Sequence, residues 1–255
     1  MAVASVSVIV PTYREAPNIE PLVRRTFAAL DDERFKAEMI IIDDDSQDGS
    51  IEIVERLAEE FPVRIIVRTG RRGLASAVLH GFEHATHDIF VVMDADLQHL
   101  PESIPALVSA IIDGNADIAV GSRFVAGAII DAEWPWFRRL NGFVARALAR
   151  PLVSLRDPMS GFCALRRETV NRAESLNPLG YKIVLELAVK ARCKRCVEIP
   201  IRFAARHAGA SKLSLGEQLR YLRHLARLYG FAYKQFAPLV VVVVIAAIGC
   251  VLWVN

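Results

Sequence analysis

The first half of the chain alternates short apolar runs with longer helical ones. Runs at Ser5–Val10, Glu38–Asp43, Val63–Arg68, Asp88–Met93 and Asp117–Val120 are rich in Val and Ile. Such runs suit parallel strands buried on both faces. Helical patterns fall between them, at Ile19–Leu30, Ser50–Glu60, Leu74–Ala85 and Pro101–Ile112. Pro21 and Pro101 are expected near helix starts, where a missing N–H costs little, and Ser50 is expected as a helix cap. This βαβα order predicts an α/β fold, a mostly parallel Rossmann-like sheet with helices on both faces. Ligands of such sheets bind beyond the carboxyl ends of the strands.

The pattern changes near the end. Leu215, Leu219, Leu222, Leu225 and Tyr229 share one helical stripe, with Arg220, Arg223 and Arg227 beside it. This predicts an amphipathic helix lying on anionic headgroups. Phe236 to Val254 then runs 19 residues without a charge. At about 1.5 Å per residue that helix would reach roughly 28 Å, close to a bilayer's hydrocarbon core. Trp253 suits an interfacial anchor. The expected organisation is therefore a main α/β domain over 1–213, an interface helix over 214–235 and one transmembrane helix over 236–255.

Charge supports that division. Apolar residues make up 53% of the 255, enough for one sizeable core, and the formal net charge is only +2. Yet residues 190–234 carry 11 Lys and Arg against two acids, a net of +9, whereas residues 1–189 carry a net of −7. A basic block suggests an anionic partner, nucleic acid or membrane. Its position just before the apolar tail selects the membrane over nucleic acid. By the positive-inside rule the body is expected in the cytosol, anchored by its single C-terminal helix. The N-terminus lacks the basic region of a signal peptide. Reduced thiols are expected for the four cysteines, and Cys193 and Cys196 read as an incidental pair near a strand start. His80, His84 and His87 share helical spacing, but Gly81 stands where a zinc protease would carry its Glu, so no metal site is expected there.

The chemistry is concentrated after the strands. PTYRE (11–15) follows the first, DDDSQDG (43–49) the second, DADLQH (94–99) the fourth and GSR (121–123) the fifth. Neither a dinucleotide fingerprint nor a P-loop is present. Asp94 and Asp96, two residues apart beyond a strand, can each offer oxygen to a hard divalent cation such as Mg²⁺ or Mn²⁺, with Gln98 as a neutral third ligand. Asp44 is expected to contact a base or ribose, Asp48 to be structural, and Tyr13 to stack on a base or simply to pack.

In order, PTYRE, DDDSQDG, VMDADLQH (92–99), GSRF (121–124), DPMSGF (157–162) and NPLGYKIVLE (177–186) resemble the motifs of glycosyltransferase family 2 with its GT-A fold. The last two resemble more narrowly the branch that mannosylates dolichyl and other polyprenyl phosphates. The resemblance spans about Val6 to Leu213. It implies that Pro11, Tyr13, Glu15, Ile42 and Asp44 hold the nucleotide, and that Asp94, Ala95, Asp96 and Gln98 hold the diphosphate and the metal. Arg123 and Arg138 would bind the acceptor phosphate, with Arg139 competing for the second place. Lys182, Arg206 and Lys212 would lie near the diphosphate. One departure stands out: Gly142 occupies a position where that branch leads one to expect Ser.

The implied reaction moves mannose from GDP-mannose to dolichyl (polyprenyl) phosphate, inverting the α-linked donor to a β-mannosyl phosphate. A lipid phosphate is already an anion at neutral pH, which explains why no general base stands out. Asp96, Arg123 and Arg138 are the expected catalytic groups. A polyprenyl-phosphate glucosyltransferase using UDP-glucose is the alternative. Ala208 to Ser214 is expected to act as a lid carrying Lys212, and the chain's own tail would make a membrane-anchoring partner unnecessary.

Overall fold

The computed structural model describes residues 3–70, 72–131, 135–177, 182–204 and 215–234. Strands β1 (Ala4–Thr12), β2 (Phe35–Asp43), β3 (Val63–Val67), β4 (Ile89–Val92) and β5 (Ile118–Ser122) alternate with helices α1 (Ala16–Ala29), α2 (Ser50–Leu57), α3 (Leu74–His84) and α4 (Ile104–Ile112), the last entered through a 3₁₀ turn at Pro101–Ser103. These are the expected elements, with no end moved by more than three residues. Then follow β6 (Ile129–Ile130), α5 (Trp136–Ala149), β7 (Cys163–Arg166), α6 (Arg167–Arg172), α7 (Ile183–Lys190), β8 (Cys196–Pro200), β9 (Arg202–Phe203) and α8 (Leu215–Ala232).

The main sheet has the order β3-β2-β1-β4-β7-β5-β8, and every pairing is parallel except the two made by β7. Its inner strands are buried because both faces are covered. On one face Val6, Val8 and Val10 meet Ile19 and Leu22 of α1, Val54 of α2 and Leu107 of α4. On the other, Ile9, Ile40 and Ile42 meet Val78 and Phe82 of α3, together with α7 and the Leu225 and Leu228 side chains of α8. Alternate residues of one strand serve opposite cores. Packing there is close: a Cβ on Gly81 of α3 would fall 2.3 Å from Ile9 Cγ2.

Two local expectations change. Pro21 lies inside α1, because the helix begins at Ala16 and carries another proline, Pro17, in its first turn. Ser50 is the first helical residue and does not cap α2; the cap position is Gly49, at φ +91°, where a side chain would be strained. The Asp48 carboxylate accepts from Ser50 N (3.2 Å), Ser50 Oγ (2.6 Å) and Ala16 N (3.1 Å). It ties the starts of two helices together, the structural role expected of it.

The expected stripe on α8 also divides. Leu225 is buried against the body, while Leu219 is exposed, as are Arg223 and Arg227. His224 is buried beside Glu186 of α7, with 3.3 Å between Nε2 and Oε2. Tyr221 and Tyr229 donate to the carbonyls of Ala145 and Leu148 on α5, both at 2.7 Å. The helix is therefore half docked and half exposed. Among the described residues no helix is long and apolar enough to cross a membrane. The proposed span, Phe236 to Val254, lies outside them.

Glu38 is buried between β1 and β2 and registers opposite Ser7. Burial pushes its carboxyl up. Hydrogen bonds from Ser7 Oγ (2.6 Å), Thr86 N (2.7 Å) and Oγ1 (2.8 Å), and Arg64 Nη1 (2.6 Å) outweigh burial and hold it down at about 2. Its stabilising contribution is complete above the ordinary carboxyl value of 4.5 and drains away as pH falls toward about 2. Denaturant titrations stepped from pH 7 to pH 3 are expected to show a flatter acid loss in Glu38→Gln than in the wild type. Parallel losses in the two proteins would contradict this.

Candidate active site

The carboxyl ends of β1, β2, β4 and β5 open on one edge of the sheet. At the first two, most of the polar groups hold one another. Thr12 Oγ1 donates to Asp43 Oδ1 at 3.0 Å, Ser46 N donates to Asp43 Oδ2 at 2.8 Å, and Arg14 N donates to Ser46 Oγ at 2.8 Å. Asp43 is thus a buried brace for the two loops. Glu15 accepts from Asn18 Nδ2 at 2.6 Å. Pro11 pairs with Ile42 across the strands, and Asp44 N donates to Thr12 O at 3.1 Å.

Asp44 is buried and ion-paired with Arg68, whose Nε donates at 2.8 Å and whose Nη2 donates to the same oxygen. The other oxygen of Asp44 accepts from Gly73 N at 2.7 Å. The carboxylate thereby fixes the turn that opens α3. Tyr13 lies under two guanidinium groups, Arg72 at 4.6 Å and Arg14 at 5.3 Å from the ring centroid, and its hydroxyl accepts from Arg72 Nη1 at 3.0 Å. Neither Arg68 nor Arg72 was expected here.

Beyond β4 the chain turns sharply. Leu97 adopts φ +58°, a left-handed conformation that costs a bulky residue on the order of 1 kcal/mol. Asp96 is buried and accepts from Gln98 N at 3.2 Å. Gln98 Nε2 donates to Ala204 O at 3.3 Å, and Ala204 N donates back to Gln98 O at 3.0 Å. His99 bridges to Phe203. The acidic loop is therefore laced to the segment after β8. His99 Nδ1 lies 3.8 Å from Asp94 Oδ2, and its ring packs between Phe162 and Phe203. Burial, reinforced by the Arg123 charge, holds this imidazole down at about 3, so it is neutral.

One loop connects the rest. Asp157 is fully buried and receives Arg123 through Nε at 2.7 Å, Nη2 at 2.9 Å and the backbone N at 3.1 Å. Burial pushes the Asp157 carboxyl up, but the hydrogen bonds and charge of Arg123 outweigh it and the net shift is down. Two residues on, Met159 O accepts from Lys182 Nζ at 3.4 Å. Gly161 lies against Asp94: a Cβ there would be 3.4 Å from Oδ2. Phe162 supports His99. The DPMSGF loop thus touches Arg123, Lys182, Asp94 and His99, an organising role that the sequence pattern did not disclose.

The donor set suits a hard divalent cation. Asp94 and Asp96 supply carboxylate oxygens and Gln98 an amide, and Gly161 leaves a cradle beside Asp94 that any side chain would narrow. Arg138 lies on α5. Arg206 and Lys212, and with them the expected lid, lie outside the described residues. Far from this edge, ligand atoms of His80, Glu83 and His84 on α3 lie within 4.8 Å of one another, without His87. Cys196 begins β8, so the pair does lie at a strand start.

The Glycosyl transferase family 2 model matches residues 7–172. The dolichol-phosphate mannosyltransferase of Saccharomyces cerevisiae is 44% identical over 89% of this chain and 88% of its own length. That of Mycosarcoma maydis is 41% identical over 98% of this chain and 87% of its own. That of Pyrococcus furiosus is 45% identical over 88% of this chain, and the chain spans 63% of that relative's length. Among solved structures, a mannosyltransferase from Pyrobaculum calidifontis in complex with GDP-Man and Mn²⁺ superposes with a TM-score of 0.60 at 23% identity, covering 92% of this chain and 67% of that one. This likeness concerns the fold, which is GT-A. The chain belongs to glycosyltransferase family 2 and is a glycosyltransferase.

Proposed function

We propose that the chain transfers mannose from GDP-mannose to dolichyl or another polyprenyl phosphate, with inversion, at a membrane surface. The observation that carries this reading is the junction made by the DPMSGF loop. It brings a divalent-metal donor set, Lys182 and a carboxylate-anchored guanidinium to one sheet edge. The likeness to relatives named dolichol-phosphate mannosyltransferase favours mannose over glucose from UDP-glucose.

Mg²⁺ or Mn²⁺, when bound by Asp94, Asp96 and Gln98, would neutralise charge that develops on the donor diphosphate. Lys182, with Arg206 and Lys212, would add positive charge near the same group. Pro11, Tyr13, Glu15, Ile42 and Asp44 would hold the nucleoside, with Ala95 beside the diphosphate. Arg123 and Arg138 would grip the acceptor phosphate and offset its repulsion from the donor. Arg123 is well suited, because Asp157 fixes its plane before any ligand arrives.

Membrane association is part of the proposal. On α5, Trp136, Phe137, Leu140, Phe143 and Val144 are exposed, Trp136 by 75% and Phe143 by 63%. Their spacing places them on one helix face. Arg139 is exposed beside them. Aromatic and aliphatic residues with flanking cations suit a helix lying in the headgroup region. With the exposed half of α8 this supports a membrane-facing side of the 1–213 domain and the 214–235 helix, followed by the apolar segment 236–255.

The test is sugar transfer to polyprenyl phosphate in lipid vesicles with Mn²⁺ or Mg²⁺, from GDP-mannose and separately from UDP-glucose. Mannolipid from GDP-mannose, abolished by EDTA, is expected. Product from UDP-glucose alone would replace the donor assignment, and no lipid product from either would remove the acceptor assignment.

A further inference from the structure

Arg146 belongs to none of the motifs above, yet it lies at the junction they form. Its guanidinium carbon stands 3.7 Å from the centroid of the Phe124 ring, and Arg123 approaches the same ring at 5.6 Å. Two cations therefore share one aromatic support. One is neutralised: Arg123 is held bidentately by Asp157. Arg146 has no carboxylate within ion-pair distance among the described residues. Two guanidinium groups against one buried carboxylate leave a net positive charge in a half-buried site. Burial, with the Arg123 charge beside it, lowers the Arg146 pKa more than Asp157 raises it. A guanidinium does not lose its proton at physiological pH, so the positive charge stays in the site and suits an anionic partner.

Helix geometry shows how the side chain reaches this place. Residues 142 and 146 are one turn apart on α5 and share a face. A Cβ at Gly142 would sit 3.4 Å from Arg146 Nη1. The guanidinium thus lies beside Gly142, the position where the family resemblance leads one to expect Ser. Arg146 also stands one turn from Phe143, which belongs to the exposed apolar stripe of α5. On its other side, Arg123 packs over Phe203, which supports His99 beside Asp94.

We propose that Arg146 is an acceptor-binding residue, joining Arg123 and Arg138 in the guanidinium clamp for the phosphate of the lipid acceptor. The inference rests on the acceptor reading of the preceding subsection. It places the phosphate between the acidic loop and α5, with the isoprenoid chain running onto the apolar stripe. The oxyanion group would then meet, besides Arg138, two planar donors whose planes are already set, Arg123 by Asp157 and Arg146 by stacking on Phe124.

The test is a kinetic split with a short, water-soluble isoprenyl phosphate as acceptor. Arg146→Met keeps a long apolar stem over Phe124 and removes the charge. It is expected to raise the acceptor KM about ten-fold or more, with the GDP-mannose KM and thermal midpoint unchanged. Arg146→Lys keeps the charge without the planar fork and is expected to fall between the two. If wild-type enzyme makes no mannolipid, the acceptor reading fails and this inference falls with it. If wild type is active and both variants keep its acceptor KM, or raise donor and acceptor KM alike, the assignment of Arg146 fails alone.

Discussion

Asp96→Asn is expected to lower transfer at least about a thousand-fold and to remove most Mn²⁺ binding, while the thermal midpoint stays near that of the wild type. Asparagine is the informative substitution. Asp96 is buried and accepts from Gln98 N, a bond that holds the left-handed turn at Leu97. The amide oxygen of asparagine can still accept that bond, so the turn survives. What is lost is the negative charge aimed at a cation, in surroundings where water does little to replace it. Titration of Mn²⁺ by electron paramagnetic resonance, with and without GDP, separates metal loss from catalytic loss. A variant that binds Mn²⁺ as the wild type does and still loses transfer would move Asp96 out of the metal set and leave it a purely positioning role. A variant that transfers at the wild-type rate would refute the assignment of the acidic loop.

The acidic loop was legible in the sequence because its neighbours are. Strand β4 is a continuous apolar run, and a D-x-D sequence directly after it can only lie at the carboxyl edge. The same reasoning located β1, β2 and β5, whose burial on both faces leaves a strong signal, and β3, an edge strand still rich in Val and Ile. Strand β7 left none. Its four residues, Cys163 to Arg166, pair antiparallel between β4 and β5. No local pattern tells such a short segment to separate two strands that are neighbours in sequence; the pairing is decided by tertiary contacts. Helix α5 did leave a signal, the apolar spacing of Trp136, Phe137, Leu140, Phe143 and Val144. Spacing alone does not tell an exposed apolar face from a core-facing one. Arg68 is a third case. A lone arginine after a strand has no periodicity, and its role appears only when Asp44 is found buried against it. Side chains whose function is to neutralise another residue are invisible until the partner's position is known.

Asp157 and Arg123 form the most consequential such pair. Asp157→Ala is expected to cost about 3–5 kcal/mol of stability, the range for removing one partner of a buried ion pair. For a protein of this size that corresponds to a fall of the thermal midpoint on the order of 10 °C. The cause is the uncompensated charge left behind: the Arg123 side chain is 15% exposed, and the lost carboxylate also accepted its backbone N–H. The neighbouring Arg146 charge would add to the cost. The double variant Arg123→Met/Asp157→Leu removes both charges and is expected to recover a substantial part of the lost stability. Transfer will not recover with it, because the guanidinium that meets the acceptor phosphate is gone. The combination of regained stability and absent activity distinguishes a buried pair kept for function from one kept for folding. If the double variant regained transfer, Arg123 would be only a counter-charge for Asp157. If it stayed as unstable as Asp157→Ala, the loop would depend on the ion pair itself, and the lost packing and hydrogen bonds would outweigh the relief of the buried charge.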